Sequence, residues 1–343
     1  MAAKKQSSYA AAGVDIDEMM SGLTAIKKMV KSTNTSGVLS SIGSFGGLFK
    51  SPGNASTLVA SADGVGTKLK VAVMADRHHT VGQDLINHCT NDILVQGATP
   101  LFFLDYLGTA KLAGHVFKEV VRGLCKACRE NGCALLGGET AEMPGLYPSG
   151  EYDLVGTIVG SVPTNKIITG ASIRPGDVAI GLPSTGLHTN GYSLARKVIF
   201  EKAGLDINDT FPGTRKTVAD ILLSVHRSYL KLVTALMDSM PIHGMAHITG
   251  GGLYDNIPRI LPDGCEVIID RSTWKVPTVF SYMEVTGEID PDEMYRVFNM
   301  GIGYVIFVRK KDAEKAVGIL KGLRAAPRVI GHVEKGTKKV TLA

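Results

Sequence analysis

The chain has 343 residues, 44% of them hydrophobic and 20% charged, with a net charge of +5. Length gives a prior of about two domains, and the composition is that of a soluble globular protein. No apolar run is long enough to span a bilayer, no secretory leader is visible, and no basic block is interleaved with aromatics. Membrane and nucleic-acid partners are therefore not expected.

After a polar first dozen residues, 17–31 reads as an amphipathic helix and 40–49 as a Ser/Gly loop. Strand-like runs follow at 57–62, 101–107, 133–138 and 152–161, with helical periodicity at 81–96 and 112–131. Four such strands make an open sheet whose edges need cover. Pro163 and Asn165 begin a connector. The second half then alternates: strand 178–182, helices near 190–203 and 217–239, strand 245–248, helix 253–260 and strand 265–270. Helical segments near 277–297, strand 302–309, helix 311–323 and a strand pair near 328–341 complete it. The pattern predicts an α/β (α+β) chain of two domains, 1–165 and 166–343, the first a four-stranded sheet and the second an α/β sandwich with a mixed sheet.

The five cysteines (Cys89, Cys125, Cys128, Cys133 and Cys265) are odd in number, which points to a reducing, cytoplasmic compartment. Cys125 and Cys128 form C-x-x-C, but no second Cys or His pair lies at metal spacing. They fit the buried face of the 115–131 helix as structural residues.

Residues 57–70, TLVASADGVGTKLK, carry the strongest chemical signal. A β-rich run ends in Asp63, then a turn with Gly64 and Gly66 leads to Thr67 and Lys68. A carboxylate at a strand end, backbone N–H groups freed by glycine, a hydroxyl and a lysine are the parts of a nucleotide–Mg²⁺ site. On the 81–96 helix Asp84, His88 and Asp92 fall at i, i+4 and i+8, bordered by Asn91. Two carboxylates there, near Asp63, could hold Mg²⁺; a solvated helix face is the competing reading. His88 by itself reads as a bystander.

Three further segments are rich in glycine. In LLGGETAEMPG (135–145), Gly137 and Gly138 stand beside Glu139, Thr140 and Glu142, which permits close ligand approach. In LPSTGLHTNGYSLARK (182–197), Ser184, Thr185, His188, Thr189 and Asn190 form a polar loop opening a helix, suited to a ribose 5′-phosphate. In MAHITGGGLYDNIPRIL (245–261), a strand ends at His247 before a glycine turn; a packed histidine is an equal reading there. A dinucleotide fingerprint, a P-loop and a G-x-S-x-G elbow are all absent.

Taken together, YAAAGVDID (9–17), DGVGTKLK (63–70), Asn91–Asp92, QGATPLFFLDY (96–106), GGETAEMPG (137–145), GLHTNGYSL (186–194) and FNMGIGY (298–304) resemble the phosphoribosylformylglycinamidine cyclo-ligase, or aminoimidazole ribonucleotide synthetase, family. The resemblance covers nearly the whole chain. It implies a homodimer whose N-terminal sheets pair into a barrel, with ATP in a cleft at that interface. The nucleotide would lie under a glycine-rich loop including Gly43, Gly46 and Gly47. Asp63 and Asp92 match the Mg²⁺–phosphate site, Lys27 and Lys68 match lysines near the nucleotide, and Gly64, Gly66, Thr67 and Asn91 adjoin it. Glu139 and His188–Asn190 match the part facing the ribonucleotide, with Gly137, Gly138, Thr140, Ser184 and Thr185 beside it. The catalytic set so implied is Asp63, Lys68, Asp92, Glu139 and His188. The implied reaction is ATP-dependent closure of an imidazole ring in purine biosynthesis. A small-molecule kinase of the thiamin-monophosphate kinase type is the alternative, and a non-catalytic nucleotide-binding scaffold a third. The chain departs from the family pattern at Ala62, where a hydroxyl is common, at His79, where an acid is frequent, and at His88, where an apolar residue is usual.

Overall fold

The computed structural model describes residues 36–40, 45–51 and 55–343. The helix expected over 17–31, and with it Lys27, lies outside the described residues, as does Gly43.

The first half contains β1 (Gly47–Lys50), β2 (Ser56–Gly64), α1 (Lys68–Met74), α2 (His79–Leu94), β3 (Thr99–Thr109), α3 (Gly114–Asn131), β4 (Ala134–Glu142) and β5 (Tyr152–Pro163). They build a sheet of order β1-β2-β5-β3-β4, parallel only at β3–β4. Strand β1 was expected as loop. It forms because Gly47–Lys50 pairs antiparallel with Thr57–Ala60. Strand β5 alternates strictly, burying Tyr152, Leu154, Ile158 and Val162. Period-two burial turns one face toward a packed layer, and here that layer is α2, in contact with β5, β2 and β3.

Helix α2 is buried from Thr80 through Leu94, polar residues included. Its apparent polar stripe is thus an internal surface, not a solvated one. It lies hard against α3: a Cβ on Gly82 would sit 2.3 Å from the Val120 carbonyl oxygen, and one on Gly123 would sit 2.2 Å from that of His79. Only glycine permits backbones to approach so closely. The opposite face of the sheet is open, leaving Leu101, Leu104 and Leu136 exposed.

The second half contains β6 (Asp177–Pro183), α4 (Tyr192–Arg196) continued by a π-helical turn (Lys197–Lys202), α5 (Val218–Leu222), α6 (Leu230–Met237), β7 (Gly244–His247) and α7 (Gly252–Asn256). Then come β8 (Cys265–Ile269), α8 (Thr278–Gly287), α9 (Pro291–Val297), β9 (Ile302–Arg309), α10 (Ala313–Gly322), β10 (Arg328–Lys335) and β11 (Val340–Leu342). The strands form one mixed sheet of order β11-β8-β10-β6-β9-β7, with β8 and β11 parallel.

Two predicted helices are interrupted. The 277–297 segment divides at Glu288, which takes a left-handed conformation, and restarts at Asp290, whose carboxylate caps α9. The 217–239 segment breaks between α5 and α6. There the backbone is served by side chains from elsewhere: the Asp84 carboxylate accepts the His226 N–H, Asn91 Oδ1 accepts the Tyr229 N–H, and Thr185 Oγ1 donates to the Val225 carbonyl. With those groups satisfied externally, the helical ladder has no advantage. The break places His226 in the middle of the molecule.

Candidate active site

Strand β2 carries Asp63 to its end, where Oδ1 accepts the Gly64 N–H at 2.7 Å. Helix α2 brings Asp92 beside it, and the two carboxylates meet at one imidazole. His88 Nε2 lies 2.7 Å from Asp63 Oδ2 and 3.7 Å from Asp92 Oδ2. Asp92 also accepts from Ser61 Oγ at 3.1 Å, and its Oδ1 lies 2.8 Å from His247 Nδ1. His247 Nε2 is 3.0 Å from His226 Nε2, and the His226 ring stacks on His188 with centroids 3.9 Å apart.

Four histidines and two acids thus form one cluster. His88, a bystander by its sequence position alone, bridges Asp63 and Asp92. His226 was missed, because residues 223–229 read as part of a continuous helix.

Electrostatics follows position. Burial alone would lower the His88 pKa, but Asp63 and Asp92 override it and raise it to about 9. Burial would raise that of Asp63, but the facing His88 holds it below its ordinary value. Burial drives His226 and His188 well below the usual histidine value. Burial also lowers His247, although the Asp92 hydrogen bond pulls the other way.

Lys68 does not reach into the cluster's open side. Its side chain is fully buried, 2.7 Å from Asp84 Oδ2, and donates to the carbonyls of His188 (3.0 Å) and Ser224 (2.9 Å). These three acceptors match the three hydrogens of an ammonium. The expectation that Lys68 lends its charge to phosphate therefore yields to a different placement, in which it ties α1 and α2 to two loops of the second half. Asp84, counted among possible metal carboxylates, is committed to the same ion pair.

The 184–193 loop packs beside the cluster. Ser184 Oγ donates to Asn299 Oδ1, the Thr185 N–H donates to His188 Nε2 at 3.2 Å, and Thr189 Oγ1 lies 2.7 Å from His88 Nδ1. His188 has φ of 62°, a conformation costly for a residue with a Cβ and often found at functional sites. Asn190 Oδ1 faces Gly250: a Cβ there would lie 3.2 Å from it. The 250–252 glycine run thus closes the loop's outer side. Thr67 Oγ1 joins the same loop through Ser193 Oγ at 3.1 Å. Gly46 adjoins the cluster's helix, its carbonyl accepting from Gln96 Nε2.

The 137–140 segment is not brought into contact. It is strand, not turn, and largely exposed. Asp63, Gly156, Asp105 and Gly138 lie on one register row across β2, β5, β3 and β4. Three strand spacings of roughly 4.8 Å put Gly138 about 14 Å from Asp63.

A divalent cation suits the two carboxylates. The donor set does not match a purely oxygen shell of the kind magnesium prefers, because an imidazole nitrogen addresses each carboxylate. His88, Asp92 and His247 offer ligand atoms all within 4.8 Å of one another.

Comparison with known proteins places this architecture. The family model described as "AIR synthase related protein, N-terminal domain" matches residues 45–162, and its C-terminal counterpart matches 174–342. The chain is 52% identical to the phosphoribosylformylglycinamidine cyclo-ligase of Geotalea daltonii, covering 97% of this chain and 96% of that protein. It is 47% identical to the protein of the same name from Alkaliphilus oremlandii, with 97% and 99% covered. Among solved structures, AaThiL complexed with AMPPCP and TMP aligns with a TM-score of 0.67 at 14% identity, covering 96% of this chain and 95% of that one. The hydrogenase maturation protein HypE in complex with ATP aligns at 0.62 and 18%, covering 91% and 85%. At such identity these structures show a shared fold alone. The two matched models and the near-full-length relatives together make this chain a member of the AIR synthase family.

Proposed function

We propose that the chain closes the imidazole ring of 5-aminoimidazole ribonucleotide from formylglycinamidine ribonucleotide, consuming ATP and releasing ADP and phosphate. Relatives at 47–52% identity over nearly their whole length carry the cyclo-ligase name. The observation that carries the reading is the meeting of Asp63 and Asp92 at one point, beside the polar 184–193 loop. The kinase alternative rests on a fold likeness at 14% identity and is not favoured.

In this reading Asp63 and Asp92 would hold a divalent cation, which would supply positive charge to the phosphates of ATP. The formyl oxygen attacks the γ-phosphorus and ADP leaves. The amidine nitrogen then attacks the activated carbon, and phosphate departs. Phosphorylation turns a poor oxygen leaving group into a good one, so the protein's contribution is positioning and charge complementarity. Asn190 and the 184–193 backbone orient the ribonucleotide, His188 keeps that loop in register, and Lys68 anchors the loop through the His188 carbonyl.

The same reading takes residues 1–165 and 166–343 as the two domains, with Glu139 and Thr140 serving a more distant part of the cleft. It makes the chain a homodimer through the open face bearing Leu101, Leu104 and Leu136, since contiguous exposed apolar surface on a sheet invites a partner. A cytoplasmic setting agrees with five unpaired cysteines. No helix among the described residues is long and apolar enough to cross a membrane. The test is to incubate the protein with Mg-ATP and formylglycinamidine ribonucleotide. The aminoimidazole product and one phosphate per ring are expected; a phosphorylated product without ring closure would favour a kinase.

A further inference from the structure

We propose that Cys128 and Cys133 form a peroxide-responsive dithiol that closes reversibly to a disulfide at the end of α3.

A helix stop creates the pair. Helix α3 ends at Asn131, and Gly132 follows in a left-handed conformation with φ of 69°. The Gly132 N–H donates to the Arg129 carbonyl at 3.4 Å, and the Cys133 N–H donates to the Cys128 carbonyl at 3.0 Å. These two bonds are those of a Schellman stop, which sets the side chain after the glycine against the one five positions before it. Both positions are cysteine here, so two thiols stand where an apolar contact is usual. The backbone on either side of the second bond holds the two Cα atoms within about 7 Å of each other. A disulfide spans roughly 4.4–6.8 Å between Cα atoms, so closure needs little movement.

The free thiols are not alike. Burial pushes Cys89 and Cys265 up, and the contact with Cys133, together with burial, pushes Cys128 up. Cys133 moves the other way: a hydrogen bond from the Cys128 thiol favours its thiolate and lowers its pKa. The thiolate is the form that attacks peroxide. Cys133 also keeps 9% of its surface exposed, and a Cβ on neighbouring Gly132 would meet nothing within 4 Å, whereas Cys89 is sealed at 0%. Cys125 is half-buried one turn earlier on α3, within the intact helical ladder, so the turn offers Cys133 rather than Cys125 as the partner of Cys128.

The oxidant is hydrogen peroxide. The Cys133 thiolate attacks one peroxide oxygen, the O–O bond breaks, and hydroxide leaves to take up a proton as water. Cys133 is then a sulfenic acid. The Cys128 sulfur attacks the Cys133 sulfur, the S–S bond forms, and the sulfenic oxygen leaves with the Cys128 proton as a second water. Two electrons pass from the two thiols to the peroxide. A small dithiol reverses the step by thiol–disulfide exchange, taking the electron deficit as its own disulfide. In reducing compartments, disulfides are chiefly of this transient kind.

The test needs neither nucleotide nor ring closure. The reduced full chain, freed of reductant, is exposed to hydrogen peroxide. At intervals it is unfolded in N-ethylmaleimide to block the remaining thiols, and its tryptic peptides are weighed. Cleavage after Lys126 and Arg129 separates Cys125, Cys128 and Cys133. The first product expected is a disulfide joining peptide 127–129 to the peptide that begins at Glu130, with Cys89 and Cys265 still alkylated and the link lost in dithiothreitol. Cys133→Ser is expected to slow the loss of the Cys128 thiol by about tenfold or more. A first link between peptides 123–126 and 127–129, a disulfide between two chains, a Cys133 sulfinic acid beside a surviving Cys128 thiol, or oxidation of Cys133 no faster than that of Cys89 overturns the proposal. So does loss of the Cys128 thiol at the wild-type rate in Cys133→Ser. Should that variant not fold, the wild-type peptide map decides.

Discussion

Lys68 and Asp84 lie 2.7 Å apart with neither side chain reachable by solvent. Removing one partner of a buried pair strands the other, which costs about 3–5 kcal/mol, while replacing both by apolar groups is often close to neutral. Lys68→Met is expected to lower the unfolding free energy by that amount in urea denaturation. Lys68→Met/Asp84→Leu is expected to recover much of it. A single-variant loss below about 1 kcal/mol would place the pair at a solvated surface instead.

Asp63→Asn and Asp92→Asn are each expected to reduce turnover by about a hundredfold or more with the fold intact. In the proposed site each loses a charged oxygen where phosphate charge would be balanced. The measurement is product formation at saturating divalent ion, with circular dichroism as the fold control. Near-normal turnover in either variant removes that residue from the site.

Asn190→Ala is expected to raise KM for the ribonucleotide several-fold more than KM for ATP. Asn190 sits on the loop between Thr189 and the 250–252 turn, with Oδ1 facing Gly250. Loss of a contact made to one substrate shows in that substrate's KM. If KM for ATP rises instead, the loop belongs to the nucleotide.

His188 and His226 are both held neutral by burial, with pKa values well below 6.5. A depressed histidine pKa makes the unfolded chain the better proton acceptor. The contribution of these two groups is then full above pH 6.5 and falls as the pH drops below it, by about 1.4 kcal/mol per unit for each group. His88, raised to about 9, works the other way and loses its contribution as the pH rises from 6.5 through 9. Urea midpoints between pH 7.5 and 5.5 are expected to show the decline, and His226→Asn to reduce its slope. A midpoint flat across that range contradicts it.

If the chain dimerises through the open sheet face as proposed, Leu136→Asp is expected to yield monomer in sedimentation, because Leu136 is 65% exposed on β4. Wild-type protein that is monomeric and fully active at micromolar concentration would end the dimer reading.

Much of this was legible in sequence because the local signals agreed with the fold. The apolar strand-like run at 152–161 gave β5, and the run into Asp63 gave the end of β2. Asp92 was found because helix spacing and a neighbouring strand end pointed the same way. The rest depended on partners distant in sequence. Residues 223–229 have helical composition, yet Asp84, Asn91 and Thr185 draw their backbone groups out of the ladder. No local pattern contains that competition, so His226 stayed hidden. His88 looked idle because its partner Asp63 lies 25 positions away on another element. Lys68 was misplaced for a related reason: a lysine after a glycine turn fits a phosphate loop, and only tertiary structure reveals the buried acid that claims it.

The glycine contacts between α2 and α3 bear on how the cleft admits its substrates. With Gly82 and Gly123 fitted backbone to backbone, and Lys68 clamping α2 to the far loops, the helix carrying His88 and Asp92 has no room to tilt or slide. Entry and closure then fall to the chain segments around it. Asp92 and His88 are thus held in place before anything binds, so little ordering entropy is lost there on binding. A Gly123→Ala substitution would act at a distance, prising α2 from its seat and shifting His88 and Asp92 against Asp63 without touching any of the three.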